Sequence, residues 1–413
     1  MTPDALEDVW RRESPHVLGA LLRQHGNLAD CEDAAQEALL AAAQQWPDEG
    51  RPDNPRAWLI RVAGRRLTDQ FRSDASRRRR EMLDAGAQRL DSPVESEPVP
   101  DRDDSLQLLL LCCHPALSRA SQVALSLRCV AGLDTEQIAA AYLVPASTMA
   151  QRLSRARTAL REAGAKFSFP APEQLPHGVA AVLDVCHLIF NEGYTRSSGA
   201  ELHSPELAQE AIRLVRMLRA ALPDHDEAAG LLALLLLTHA RSAARIDSAG
   251  DLVPLEHQDR SQWDRKLIAE GVALLEAVLP RGHVGRYQLQ ASIAAVHAEA
   301  ASWQETDWLQ INLLYGMLDS IAPSPAVTLN RAVATAMVLG PDAGIAIVEK
   351  LLADPVLRKH HRTHAVLAHL FDAAGNRPAA VEHFALAAQL TRSQADQRYV
   401  NRKLSALKAQ QAP

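Results

Sequence analysis

Between residues 31 and 46 the apolar positions are Cys31, Ala35, Ala38, Leu39, Ala42 and Trp46. Steps of three and four residues keep them on one face of a 3.6-residue helix. Glu32, Asp33, Gln36 and Glu37 fall mainly on the other side. The pattern breaks at PDEGRPDNP, residues 47–55, where Pro and Gly interrupt a helix. It resumes at about residue 55 and runs to residue 72 or beyond, with Trp58, Leu59, Val62, Ala63, Leu67 and Phe71 on its apolar side.

Within 83–104, the stretch 91–100 holds three prolines and almost no apolar content. Across 91–104 six acids face one arginine, a net charge of −5. Such a segment buries too little surface to offset the ordering of its backbone, and it reads as a linker. Helical spacing returns over 105–166. Asp134, with Gln137 three residues later, predicts a capping box at the head of a short helix, 135–142. Val144 and Pro145 end it, and a longer helix opens at 146–148 and reaches about 163. Short helix, tight turn and longer helix make a helix-turn-helix.

A proline-rich joint, 169–176, separates this unit from a last Ala/Leu-rich stretch, 176–410. There a helix followed by Gly340 and Pro341 resembles another followed by Gly375 and Pro378, the two glycines lying 35 positions apart. That interval approaches the 34-residue tetratricopeptide repeat, and 323–395 reads as about two such units. The preceding 176–322 reads as less regular helical pairs. The fold class expected is all-α, in three helical parts.

Composition supports this. Aromatics are only 4% of the 413 residues, which disfavours a β-sandwich or barrel. Five cysteines without regular spacing describe no disulfide framework. The acidic start shows no signal-peptide pattern, and the longest apolar run, 231–237, is far short of a membrane span. A cytoplasmic chain with no membrane partner is the expectation.

The net charge of −6 taken alone argues against nucleic acid, but it averages unlike parts. Residues 51–80 hold ten arginines against three acids, and 145–166 hold five cations against one acid. Arg61, Arg65, Thr68 and Arg72 share a face opposite the apolar stripe, so this helix can pack on its own domain and present cations to phosphates. A solvated surface helix has the same pattern. In the helix-turn-helix, Met149, Leu153, Ala156 and Leu160 form an inward stripe. Gln151, Ser154 and Thr158 point away, flanked by Arg152, Arg155, Arg157 and Arg161. Small polar residues between arginines suit a helix lying in a major groove.

Other candidates have blander readings. Cys112, Cys113 and His114 lack metal-site spacing and read as buried thiols, with no metal and no cofactor expected. His360, His361, His364 and His369 read as histidines on the repeat surface. The segments 191–194 and 259–265 hold odd polar residues that fit a ligand groove. They fit a structural role at least as well, with Gly193 bending the chain, Asn191 and Glu192 capping helix ends, and Asp259 pairing with Arg265. No catalytic residues stand out.

Several motifs in order resemble the extracytoplasmic-function (ECF) sigma factors of the sigma-70 superfamily. DCEDAAQEAL (30–39) is similar to the acidic helix of conserved region 2, and NPRAWLIRVA (54–63) to its basic helix. LDTEQIA (133–139) and STMAQRLSRAR (147–157) are similar to the region 4 helix-turn-helix. LCCHPAL (111–117), LIFNEGY (188–194) and DRSQWDR (259–265) resemble motifs of a subgroup with a tetratricopeptide-like C-terminal extension.

The resemblance implies a region 2 bundle at 1–82, region 4 at 105–166 and a regulatory extension at 176–410, with core RNA polymerase (β′ clamp and β flap) and promoter DNA as partners. Asp30, Asp33, Gln36, Glu37 and Leu40 would dock on the polymerase clamp. The loop 47–54 would capture a flipped base, with Arg51, Asn54, Arg56, Arg61, Arg65 and Arg72 on the minus-ten element. Thr148, Gln151, Arg152, Ser154, Arg155 and Arg157 would read the minus-thirty-five element. The acidic linker would lie in the polymerase's RNA path. Ala150 departs from the Lys or Arg that many members carry, so the promoter sequence does not carry over from the family. The extension would act in cis, on the sigma domains or through a regulatory protein. Two other readings are a repressor or activator that binds duplex DNA without replacing the sigma subunit, and a repeat-domain enzyme or sensor with a DNA-binding front end.

Overall fold

Asn27 opens and Gly50 closes the helix that the first apolar spacing foretold. In the computed structural model, which describes residues 3–83, 104–142, 144–168, 173, 175–194, 205–247, 251–391 and 393–409, the chain is all-α. The described residues hold eighteen α-helices and no named strand, with one isolated bridge between Ile246 and Leu252. Its contacts divide it into two compact units, Met1–Val185 and Cys186–Pro413. Of the sequence expectations, the acidic linker at 84–103 lies outside the described residues.

In the first unit α1 (Pro3–His25), α2 (Leu28–Glu49) and α3 (Pro55–Leu83) pack pairwise into a bundle. Its core includes Leu18, Leu21, Cys31, Ala35, Ala42, Trp46, Leu59, Ala63 and Leu67. The Asn27 side-chain oxygen accepts from the Ala29 N–H at 3.0 Å and caps α2. The expected break at Pro47 comes later. Pro47 sits in the last turn, where α2 runs on to Glu49 before Gly50, at φ 83°, ends it. The N–H that proline lacks would have paired with the carbonyl of the exposed Ala43, which water can serve. Trp58 is half-buried, edge-on to Trp46 with ring centroids 5.3 Å apart. The Phe71 side chain lies outside the described residues.

Four shorter helices follow: α4 (Ser105–Cys112), α5 (Arg119–Cys129), α6 (Thr135–Ala141) and α7 (Ala146–Glu162). The expected capping box forms, since Asp134 Oδ1 accepts from the Gln137 N–H at 2.7 Å and Gln137 Oε1 from the Asp134 N–H at 2.9 Å. Cys112, Cys113 and Cys129 are buried here, and burial pushes the Cys113 thiol up to about 12. These helices do not stand apart from the bundle. α1 packs on both α4 and α5, and Arg23 of α1 pairs with the buried Asp104.

The boundary between the units falls inside α8 (Leu175–Tyr194). The second unit continues with α9 (Pro205–Ala221), α10 (Asp226–His239), α11 (Arg265–Val278), α12 (Arg286–Glu299) and α13 (Trp308–Ile321). It ends with α14 (Pro325–Leu339), α15 (Pro341–Leu351), α16 (His361–Ala373), α17 (Arg377–Leu390) and α18 (Gln394–Ala409). From α9 onward each helix packs on its sequence neighbour, as in a helical solenoid. The pairs α14/α15 and α16/α17 turn at Gly340 (φ 93°) and Gly375 (φ 76°), positions where an L side chain is strained.

Three expectations for this unit are corrected. Gly193 lies inside α8 and does not bend it; a Cβ there would meet the Ala208 backbone nitrogen at 2.4 Å, so its role is close packing against α9. Asp259 does not pair with Arg265, because its Oδ1 accepts from the Ser261 N–H and hydroxyl at 2.9 and 2.7 Å. The histidines of α16 are not all on the surface. His364 is buried, 3.0 Å from His383 Nδ1 and 2.8 Å from the Arg358 carbonyl, and His369 packs edge-on against Phe384.

Candidate nucleic-acid interface

The basic face of α3 forms as its spacing predicts. Leu59, Ala63 and Leu67 are buried, while Arg61, Arg65 and Arg72 are exposed. Thr68, between them, is partly turned back, its hydroxyl donating to the Gly64 carbonyl at 2.9 Å. The head of the helix is more engaged. Asn54 Oδ1 accepts from the Ala57 N–H at 3.0 Å as a cap, and Arg56 Nε donates to Glu13 Oε2 at 2.7 Å. Arg51 is exposed in the preceding loop. The structure therefore gathers three unpaired arginines along α3 and gives two other nominated residues local work.

α7 is amphipathic in the expected register. Met149, Leu153, Ala156 and Leu160 are all buried, and Thr148, Gln151, Ser154 and Arg155 are exposed. No side chain caps its first turn, so the leading N–H groups there face outward beside Ser147 and Thr148. Arg152 is half-buried.

Arg157 is placed differently from the rest. Its Nε and Nη2 donate to both oxygens of Glu32 on α2, at 2.9 and 2.6 Å. Arg128 of α5 donates to the same carboxylate at 2.7 Å and to the Leu133 carbonyl at 3.2 Å. The Glu32 side chain is 3% exposed. Spacing assigns it to the open side of α2, and it is buried because Arg128 of α5 and Arg157 of α7 reach over that side. A planar guanidinium matched to a carboxylate is the strongest common side-chain ion pair. Glu32 raises the Arg157 pKa over the opposing effect of desolvation. No sequence signal marks this triad, since its members are 96 and 125 positions apart.

On the acidic face of α2, Asp33, Glu37 and Leu40 are exposed, while Asp30 and Gln36 are half-buried. Leu40 is 63% exposed, an apolar side chain left on the surface between acids. Glu37 meets Arg66 at 3.5 Å with both side chains more than half exposed, a pair worth at most about 1 kcal/mol and easily exchanged. Partial desolvation raises the Asp33 carboxyl above its ordinary range, with Arg157 opposing and Glu32 reinforcing.

Among the described residues no group of histidines, cysteines or acids is arranged to hold a metal, and no helix is long and apolar enough to cross a membrane. In the second unit α13 carries an exposed apolar row at Leu309, Leu313, Met317 and Ile321, one residue per turn.

Comparison with known proteins follows the same division. The family model for sigma-70 region 2 matches residues 9–78, and that for sigma-70 region 4 matches 107–160. A family of unknown function (DUF6596) matches 179–279. The uncharacterised protein R00370 of Rhizobium meliloti is 43% identical over 351 residues, covering 82% of this chain and 81% of its own. A probable ECF RNA polymerase sigma factor, SigI of Mycobacterium tuberculosis, is 32% identical over 162 residues, 38% of this chain and 55% of SigI. No solved structure matches.

Proposed function

Because the chain belongs to the ECF sigma factors of the sigma-70 family, as a member with a C-terminal extension, we propose that it binds core RNA polymerase through α2 and opens promoters through α3 and α7. Sigma-factor function in transcription initiation follows from the family. The division of labour among residues is our reading, and so is action inside the cytoplasm by binding alone. The observation that carries it is the pairing of two amphipathic helices, α3 and α7, each with a buried apolar stripe and outward arginines.

In this reading Arg61, Arg65 and Arg72 grip the strands at the minus-ten element, and Thr148, Gln151, Ser154 and Arg155 meet the minus-thirty-five element. Asp33, Glu37 and Leu40 offer acids around one apolar anchor to a basic partner. The extension regulates in cis. The exposed row on α13 supports this, because an apolar patch of that kind on a surface marks an interaction site. Arg157 reaches DNA only after Glu32 releases it, so the free chain holds part of its reading head in reserve.

Transcription from a cognate promoter with purified core polymerase tests the proposal. Asp33→Arg with Glu37→Arg should abolish co-purification with polymerase while melting stays within about 0.5 kcal/mol, since both side chains are exposed. Wild-type polymerase binding in that double mutant sinks the α2 assignment. Arg61→Glu with Arg65→Glu should cut transcription roughly a hundredfold, at about 1.4 kcal/mol for each lost contact, and leave polymerase binding unchanged. A chain that protects duplex DNA equally well without polymerase would instead favour the repressor or activator reading.

A further inference from the structure

The second unit contains a cavity of about 600 Å³ between α8, α10, α12, α13 and α14, within the range of small-molecule sites. Trp303, Trp308 and His297 form one wall, with the tryptophan ring centroids 4.5 Å apart and Trp308 edge-on to His297 at 5.2 Å. Phe190, Tyr194 and Tyr315 line it elsewhere. The one charged group among the lining residues is Arg241, and none of them is an acid.

Arg241 is set apart from the arginines around it. Arg260 is committed, donating to the carbonyls of His297 and Ala300 at 2.7 and 2.6 Å and to the Thr306 hydroxyl at 3.2 Å. Arg245 donates to the Tyr194 carbonyl and lies over the Tyr194 ring at 3.7 Å. Arg241 has no carboxylate partner, only a distant ring contact to Trp263 at 5.9 Å, and its Nε is buried without a hydrogen bond. His297 Nδ1 and Trp308 Nε1 are likewise buried and unpaired. Burial with two nearby guanidiniums holds His297 neutral, its pKa near 3. Burying a cation without a counter-charge is costly, and a site that keeps one, beside other unpaired groups, is built for an anion.

A second cavity of about 470 Å³ shares Leu255, Trp303 and Val333 but is also lined by Glu256, Asp372 and Lys403. Its lining carries two acids against one lysine. Of these two cavities, the one lined by Arg241 carries the excess positive charge.

We propose that this cavity is a binding site for a small aromatic monocarboxylate, the carboxylate on Arg241 and the ring against Trp303 and Trp308. One available guanidinium suits one negative charge, which argues for a monoanion over a phosphate ester. The aromatic walls suit a planar body. The inference stands apart from the sigma-factor reading, because it concerns the second unit alone.

Titration of the full chain with benzoate, phenylacetate and indole-3-acetate, each against its primary amide, tests it by calorimetry and tryptophan fluorescence. At least one carboxylate should saturate, quench fluorescence and raise the melting temperature, and its amide should bind at least about tenfold more weakly. Arg241→Gln should weaken the carboxylate by the same factor. Asn330→Asp provides a second variant at an exposed lining residue that hydrogen-bonds Tyr315. It adds an opposing charge without disturbing the core, and should also weaken binding about tenfold. No binding by any of the three acids, equal binding of acid and amide, or undiminished binding in Asn330→Asp overturns the proposal. None of these outcomes bears on polymerase binding, which is read separately.

Discussion

In the unit Met1–Val185 the polar side chains that join distant helices are charged: Glu32 takes two arginines from α5 and α7, Arg23 takes Asp104, and Arg56 takes Glu13. The unit Cys186–Pro413 has ion pairs of its own, such as Arg216–Glu270 and Arg398–Asp251, but adds imidazoles packed between its helices. His187 lies edge-on to Tyr287, His297 sits among tryptophans, and His364 faces His383. An ion pair between helices can break and leave two solvated charges, so its helices can separate reversibly. A buried imidazole offers no such exchange and instead ties folding to pH. The first unit is joined by ion pairs suited to opening, and the second adds imidazoles that tie its folding to pH.

Acid should separate the two most strongly. Burial lowers His187 to about 4 and, with Arg241 and Arg260, His297 to about 3. An unfolded histidine titrates near 6.5. Above that pH both states are neutral and stability is full. As pH falls through 6.5 toward 4 the unfolded chain takes up protons that the folded chain refuses, so stability falls throughout that window. At about 1.4 kcal/mol per pKa unit, each histidine costs roughly 2 kcal/mol by pH 5. Calorimetry at pH 7.5 and 5 should show the second unit's transition falling further than the first's. His187→Phe, which keeps an edge-to-face contact with Tyr287, should flatten the dependence. Equal shifts of both transitions would break the comparison.

The next largest effect belongs to Glu32→Ala. Removing one partner of a buried ion pair costs about 3–5 kcal/mol if the structure stays closed. Here Arg128 and Arg157 already lie partly at the surface, with side chains 11% and 23% exposed, so undocking is the cheaper escape. The radius of gyration of the free chain should rise, and promoter DNA should bind about tenfold more tightly with a salt slope steeper by about one contact. Unchanged scattering and unchanged DNA affinity would show that Glu32 merely packs α2.

How much was visible beforehand follows the range of each interaction. The stripe of α7, the capping box at Asp134 and the exposed arginines of α3 are set by residues within a turn or two, and spacing alone foretold them. Pro47 misled because a proline's missing N–H matters only where its would-be acceptor is buried. Burial of Glu32 and of His364 depends on helices that arrive from elsewhere, and no pattern near either residue records that. The cavity was half visible. The segment 191–194 is oddly polar in the sequence, and Asn191 and Tyr194 do line the cavity. Nothing in the local sequence marks Arg241 or His297. Two of the chain's six tryptophans falling at 303 and 308 was the available hint in a sequence with 4% aromatics.

The smallest effect sharpens the comparison from the other side. Asp134→Ala removes one half of the box that starts α6, the cap accepting at 2.7 Å, and should cost about 1 kcal/mol. The loss is local, because the exposed Asp134 carboxylate bonds only forward, to the Gln137 N–H, while Arg128 still holds the Leu133 carbonyl from behind. Amide exchange should therefore quicken across α6, with the core of α5 and the docked Arg157 left protected. If Asp134→Ala instead opened the first unit as Glu32→Ala does, closure would depend on the start of the helix-turn-helix rather than on the carboxylate, and the ion pair would follow closure rather than hold it.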